Sequence, residues 1–257
     1  MPGSAGELAQ QEDLGTTGTF RTALLHTREV ESAARFYGEV FGWQLQDGAR
    51  RSFALRGERV AGVRRTDADD NLWVPYVAVD DVRAFADAAV NAGGTITPTR
   101  IDPEGPNRRA VIADPEGAVI GLCAQNDDQA VALTEGIGTI WWAEVLSNNP
   151  SLLQEFYRRL FGWQFTEQPL APHPRYVVWK RGEKSVGGLL PIGPGWNSSP
   201  RWQVLFQVGD LEAAVRRVVD AGGTCEFGPL DVPRAGLLTS VRDPGGALHV
   251  LAQPHQK

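Results

Sequence analysis

Cysteine is nearly absent: Cys123 and Cys225 are the only two in 257 residues. Two thiols cannot build a disulfide framework or a four-thiolate metal site, so both read as small apolar fillers of a cytoplasmic protein. Long apolar runs are also missing. No stretch approaches the ~20 residues that cross a bilayer and no charged-then-apolar leader precedes a cleavage site, so a membrane is not an expected partner. Basic clusters are lacking, because the net charge is −6 and the Lys and Arg residues are scattered. Phosphate backbones need a concentrated basic face, which argues against nucleic acid. The short signatures of common chemistries are absent too: no G-x-S-x-G elbow, no G-x-x-x-x-G-K loop and no G-x-G-x-x-G after a strand.

What the chain does have is repetition. FYGEVFGWQL, Phe36 to Leu45, returns as FYRRLFGWQF, Phe156 to Phe165, an offset of 156 − 36 = 120. Phe36, Val40 and Phe41 share one helical face, and Gly42 and Gly162 supply the left-handed residue that ends a helix. NLWVPYVAVDDVRAFADAAVNAGG, from Asn71, returns as PRWQVLFQVGDLEAAVRRVVDAGG, from Pro200, with Trp73 and Trp202 in register. The turn DPEGA at Asp114 returns as DPGGA at Asp243, an offset of 243 − 114 = 129. The growth from 120 to 129 predicts an insertion of about nine residues in the second copy, placed in the proline-rich Thr166 to Arg175 because loops absorb length cheaply. Each half reads as strand, helix, three strands, written twice. The expected organisation is a flexible tail over 1–18, one domain over 19–125, a polar linker over 126–138 and a second domain over 139–253. The fold class is α+β, with four βαβββ units whose mixed sheets form two cups.

The duplicated unit, the FY…FGWQ helix end, the opening WVPYVAVDD and the turn-strand DPEGAVIGL together resemble the vicinal oxygen chelate superfamily of glyoxalase I, bleomycin-resistance proteins and extradiol dioxygenases. Within it the chain is similar to the tandem glyoxalase-like proteins of actinobacteria that often carry a hydroxylase label. The resemblance covers nearly everything from Phe20 to Gln253 and implies two tandem glyoxalase-like domains, but it does not fix an activity. It also implies where metal-dependent members place their ligands. Those positions hold Thr22, Val74 and Gly121 in the first half and Trp142, Gln203 and Val250 in the second, and none is a usual ligand for Fe, Mn or Zn. The expectation is therefore no metal and no cofactor, with a divalent metal such as Fe, Mn or Zn as the alternative.

Glu144 lies two residues beyond Trp142, so strand alternation aims it at the same face, where a carboxylate is costly unless paired or used. His249 falls one position before the expected ligand and should face the other side of its sheet, as an interface or surface residue. His26, His173 and His255 suggest no site. Trp141, Trp142, Trp179 and Trp196 have no counterparts in the first half, which points to a flat ligand, extra core volume or a subunit contact. With Tyr176, Arg201 and Gln203 nearby, and Phe53, Asn107 and Arg108 offered by the first half, arginine beside aromatics suits a carboxylate or phenolate on a planar body. The expected ligand set is Trp142, Glu144, Tyr176, Trp179, Trp196, Arg201 and Gln203. The expected function is metal-independent binding of a hydrophobic, aromatic secondary metabolite or antibiotic by a monomer or homodimer. The alternative is an enzyme using Glu144 for general acid/base chemistry with Tyr176 and Arg201 steadying an oxyanion, or a metal-dependent lyase, isomerase or dioxygenase. A scaffold whose tryptophans serve an interface is the third class.

Overall fold

The computed structural model describes residues 17–48, 50–68, 70–97, 108–125, 127, 136–170, 173–233 and 235–255. Asn107 and most of the expected tail and linker lie outside them, as does the side chain of His173. The first half runs β1 (Phe20–Thr27), α1 (Val30–Phe41), β2 (Gln44–Gln46), β3 (Ser52–Leu55), β4 (Glu58–Arg65), then β5 (Leu72–Val79), α2 (Val82–Asn91), β6 (Thr95–Ile96), β7 (Arg109–Ala113) and β8 (Val119–Ala124). The second runs β9 (Ile140–Ser147), α3 (Pro150–Phe161), β10 (Gln164–Leu170), β11 (His173–Arg181), β12 (Lys184–Pro191), then β13 (Arg201–Gln207), α4 (Leu211–Asp220), β14 (Thr224–Val232), β15 (Gly236–Arg242) and β16 (Leu248–Pro254). Each half makes one eight-stranded mixed sheet, ordered β2-β3-β4-β1-β5-β8-β7-β6 and β10-β11-β12-β9-β13-β16-β15-β14. The two units of a half therefore join within that half, through the antiparallel pairs β1–β5 and β9–β13.

Local chemistry sets the helix ends. Gly42 and Gly162 are left-handed, with φ of 75° and 67°, a conformation that costs a side chain about 1–2 kcal/mol. Asp81 and Asp210 cap α2 and α4 by accepting backbone N–H groups.

The halves meet back to back on the faces that carry the helices. One core joins α2, β5, β7 and β8 to β9, α3 and the strands beside it, and the other joins α1 and β1 to β13, α4 and β16. The repeated FY pair makes this junction specific. Tyr37 accepts from Trp73 Nε1 at 2.8 Å and donates to Asp243 of the other half at 3.0 Å. Tyr157 accepts from Trp202 Nε1 at 2.7 Å and donates to Asp114 at 2.8 Å. Each Tyr thus satisfies the Trp of its own half and the Asp-Pro turn of the other. Burial pushes the Asp114 carboxyl up to about 6 against the pull of Tyr157 and two backbone amides, and raises Asp243 likewise. Trp43 and Trp163 donate across to the Gly138 and Gly18 carbonyls.

Three expectations need correction. The length difference enters in two steps rather than one loop. Gly188 stands beside Glu144 as Gly62 stands beside Leu24, and 188 − 62 = 126, so six residues lengthen the β10–β11 hairpin and three more lengthen the β12–β13 connection. Cys123 is buried, whereas Cys225 is exposed on β14, an edge strand with one open side. Trp179 is in register with Phe53, each standing opposite the second residue of the preceding strand, and both are fully buried in the helix-side cores. It lies three residues from Tyr176, an odd number, so the pleat turns the two side chains to opposite faces and removes Trp179 from the ligand set.

Candidate functional site

The face of the second sheet that points away from the helices holds a cavity of about 730 Å³, within the range of small-molecule sites. Its floor is read from register. Glu144 pairs with Gln203, Leu146 with Arg201 and Trp142 with Leu205, and Leu205 pairs with Val250 on β16. All seven line the cavity. One side is walled by the two insertions: Gln168 and Tyr176 from the lengthened hairpin, and Gly195 to Ser198, including Trp196, from the lengthened connection. The length added to the second copy is thus spent on enclosing this space.

Trp141 joins Trp142 at the cavity although neighbours on a strand should alternate. The register slips here, with Leu205 opposite Trp142 and Phe206 opposite Ile140, so Trp141 is the extra residue of a bulge. β1 slips at the equivalent place, between Phe20 and Thr22. Sequence pattern alone could not reveal this, nor that Phe227, Leu230 and Leu238 close the far wall.

At the polar end the buried Glu144 is held from both sides. Its Oε2 accepts from the Tyr176 hydroxyl at 2.6 Å and its Oε1 from Gln203 Nε2 at 2.7 Å, while Trp142 Nε1 donates to the Tyr176 oxygen at 2.8 Å. Gly188 makes this possible, because a Cβ there would collide with the Tyr176 hydroxyl. Burial raises the Glu144 carboxyl above its ordinary value, and the two hydrogen bonds and Arg201 oppose the shift. The Tyr176 hydroxyl is pushed well up by burial and by the adjacent carboxylate, so it stays protonated.

Arg201 lines the same end and is anchored by neutral groups, Ser198 Oγ at 2.5 Å and the Ser199 carbonyl at 3.2 Å. Among the described residues no carboxylate lies within ion-pair distance of it. Burial and the nearby charge of Arg242 lower its pKa, against the pull of Glu144 and Glu226. Of the expected ligand set, Trp142, Glu144, Tyr176, Trp196, Arg201 and Gln203 converge on the cavity.

The two histidines with described side chains in the sheets lie elsewhere. His249 is on the helix side of its sheet, among Phe36, Tyr37, Phe41 and Phe206. His26 is in the first cup, 3.2 Å from the Tyr76 hydroxyl.

Residues 22–123 match the model of the glyoxalase-like domain, and residues 142–251 match that of the glyoxalase/bleomycin resistance protein/dioxygenase superfamily. CFP32 of Mycobacterium tuberculosis (strain CDC 1551 / Oshkosh) is 32% identical over 250 residues, covering 92% of this chain and 95% of its own. The chain belongs to the glyoxalase/bleomycin resistance protein/dioxygenase superfamily. Its vicinal oxygen chelate fold is also seen in solved structures. The Mn(II)-bound glyoxalase from Novosphingobium aromaticivorans aligns with a TM-score of 0.60 at 17% identity, covering 93% of this chain and 83% of that one. The 2,3-dioxygenase LapB from Pseudomonas sp. KL28 aligns with a TM-score of 0.60 at 15% identity, covering 94% of each. At such identities these two speak for the fold alone. The anthracycline biosynthesis protein DnrV of Streptomyces peucetius is 31% identical over 251 residues, 87% of this chain and 88% of its own. Among the described residues no helix is long and apolar enough to span a membrane.

The donor set of the second cup does not fit the divalent metal found in metal-dependent members of the superfamily. Trp142, Gln203 and Val250 occupy the positions the resemblance assigns to ligands, and all three face the cavity. Glu144, the carboxylate closest to them on the floor, already has both oxygens bound by neutral donors. Among the described residues no three His, Cys, Asp or Glu side chains converge anywhere. In the first cup the ring of Tyr76 lies on Gly121, so a side chain at that ligand position would collide with it.

Proposed function

We propose that the second cup binds an aromatic small molecule bearing an acidic group, and that it does so without a metal. The observation that carries this reading is Arg201: a part-buried guanidinium with neutral hydrogen-bond anchors at the polar end of a cavity whose apolar lining is supplied by Trp141, Trp142, Trp196, Phe227 and aliphatic side chains. A carboxylate or phenolate would give Arg201 the direct ion pair that Glu144 and Glu226, acting on it from beyond ion-pair distance, do not make, and the indoles would bury a planar body. The relatives named for anthracycline biosynthesis support a ligand from secondary metabolism, such as an antibiotic or its precursor.

The test is tryptophan fluorescence titration of chelator-treated protein with aromatic carboxylates such as 2-naphthoate. Binding should be saturable, unchanged by the chelator and weakened roughly tenfold or more in Arg201→Gln, the scale of one lost hydrogen bond to a charged group. Binding that appears only after a divalent ion is added would refute the metal-free reading.

One observation favours an enzyme as the second reading. Glu144 is a carboxyl with a raised pKa joined to a hydroxyl, the pairing used for proton transfer near neutrality. Tyr176 would relay a proton between ligand and Glu144. Glu144→Gln should then abolish turnover while sparing binding, and unchanged turnover of a candidate substrate would dispose of it.

A further inference from the structure

Among the differences between the two cups, one is a reciprocal exchange. In the first, Tyr76 on β5 lies flat on Gly121 of β8, where a Cβ would collide with its ring. Arg109 stands 5.6 Å from the ring centroid, and His26 lies 3.2 Å from the hydroxyl. By the 129-residue offset, Tyr76, Gly121 and Arg109 correspond to Leu205, Val250 and Leu238, and by the 120-residue offset His26 corresponds to Leu146. All four counterparts are aliphatic, and all four line the open cavity of the second cup. The first cup therefore contains an aromatic ring with its own cation and hydrogen-bond partner, and the second contains the same space stripped of ring, cation and partner.

We propose that Tyr76 is a built-in occupant of the first cup, and that the equivalent seat among Leu146, Leu205, Leu238 and Val250 takes the aromatic ring of the ligand. This rests on the small-molecule reading of the second cup and deepens it. The seated ring carries no hydroxyl where Tyr76 carries one, because Leu146 cannot receive it, and it needs no cation over its face, because Leu238 replaces Arg109. The ligand's acidic group lies off the seat, toward Arg201. Each chain takes one ligand despite its duplication.

Two arms test this. Tyr76→Ala removes a phenol ring from the first cup, so phenol should raise the melting temperature of the variant by several degrees more than that of the wild type. Equal shifts overturn the built-in occupant. If Tyr76→Ala does not fold, Tyr76→Leu, the residue of the sister position, gives the same comparison over a smaller hole. In the second arm the probe is the aromatic anion 8-anilinonaphthalene-1-sulfonate. The wild type and Tyr76→Leu should each bind one equivalent in the second cup at equal affinity, and Leu205→Tyr with Val250→Gly, which moves the occupant across, should lose roughly tenfold or more in affinity. Val250→Phe, which fills the seat from below, serves if the double variant does not fold. Retained affinity in these variants overturns the seat, and two equivalents per wild-type chain overturn the single site. No binding to the wild type refutes the small-molecule reading of the second cup, and the phenol arm still decides the role of Tyr76.

Discussion

His249→Ile should stabilise the protein, and increasingly so as the pH falls. His249 is completely buried, its Nε2 has no hydrogen-bond partner, and its Nδ1 lies a long 3.4 Å from the Ala247 carbonyl. The sister position, 129 residues earlier, is Ile120, equally buried in the other core, so the fold already shows that isoleucine fits. Removing an unsatisfied buried nitrogen is worth about 1–3 kcal/mol at neutral pH, less any loss of packing against the four surrounding aromatics. Burial also pushes the His249 pKa down from 6.5 to about 4. Between these values the unfolded chain binds a proton that the folded chain refuses, so stability is present above pH 6.5 and is lost as the pH falls toward 4. At pH 5 the deficit is about 1.5 pKa units, or roughly 2 kcal/mol. Urea denaturation of wild type and variant at pH 7 and pH 5 measures both parts. The gap should widen by about 2 kcal/mol at the lower pH. A gap that stays constant, or a variant less stable at both pH values, would refute the placement of a neutral, unpartnered imidazole in this core.

Three other outcomes follow from the same geometry. Tyr157→Phe removes the hydroxyl between Trp202 and Asp114 and should cost about 1–3 kcal/mol in denaturation; Tyr37→Phe should cost a similar amount through Trp73 and Asp243. Asp114 titrates at about 6 rather than its ordinary 3.8. The folded state therefore holds a proton that the unfolded state gives up, and the stability this group contributes is present at low pH and declines as the pH rises from 3.8 through 6. Asp114→Asn should flatten that part of the stability profile. Glu144→Ala should destabilise by about 1–3 kcal/mol because it strands the Tyr176 hydroxyl and Gln203 Nε2, whereas Glu144→Gln should cost less and remove the fall in stability that the raised carboxyl causes as the pH climbs above 4.5.

Much of the fold could be read from the repeated stretches because they are the residues that make it: the glycines stop helices, and the FY and W positions recur at constant offsets. What the offsets could not show is that Tyr37 serves the Asp-Pro turn of the opposite half, since a hydrogen bond between residues 206 apart leaves no local pattern. Glu144 was legible because period-2 alternation from Trp142 holds along β9. Trp179 was misplaced because the length difference arises in two steps, so its true counterpart, Phe53, stands at an offset that neither repeat displays. Trp141 was hidden by a bulge, which inverts the alternation that would assign its face. The occupant of the first cup could not be seen at all, because its meaning lies in Tyr76 and Gly121 being neighbours on adjacent strands.

The proposed role of the second cup, metal-free binding of an aromatic acid, is tested most directly by a crystal structure of chelator-treated protein saturated with 2-naphthoate. Density for one ligand per chain, with its carboxylate on Arg201 and its rings over Leu205 and Val250, is the predicted result. An empty second cup at saturation, or a ligand held through a metal ion, would contradict it.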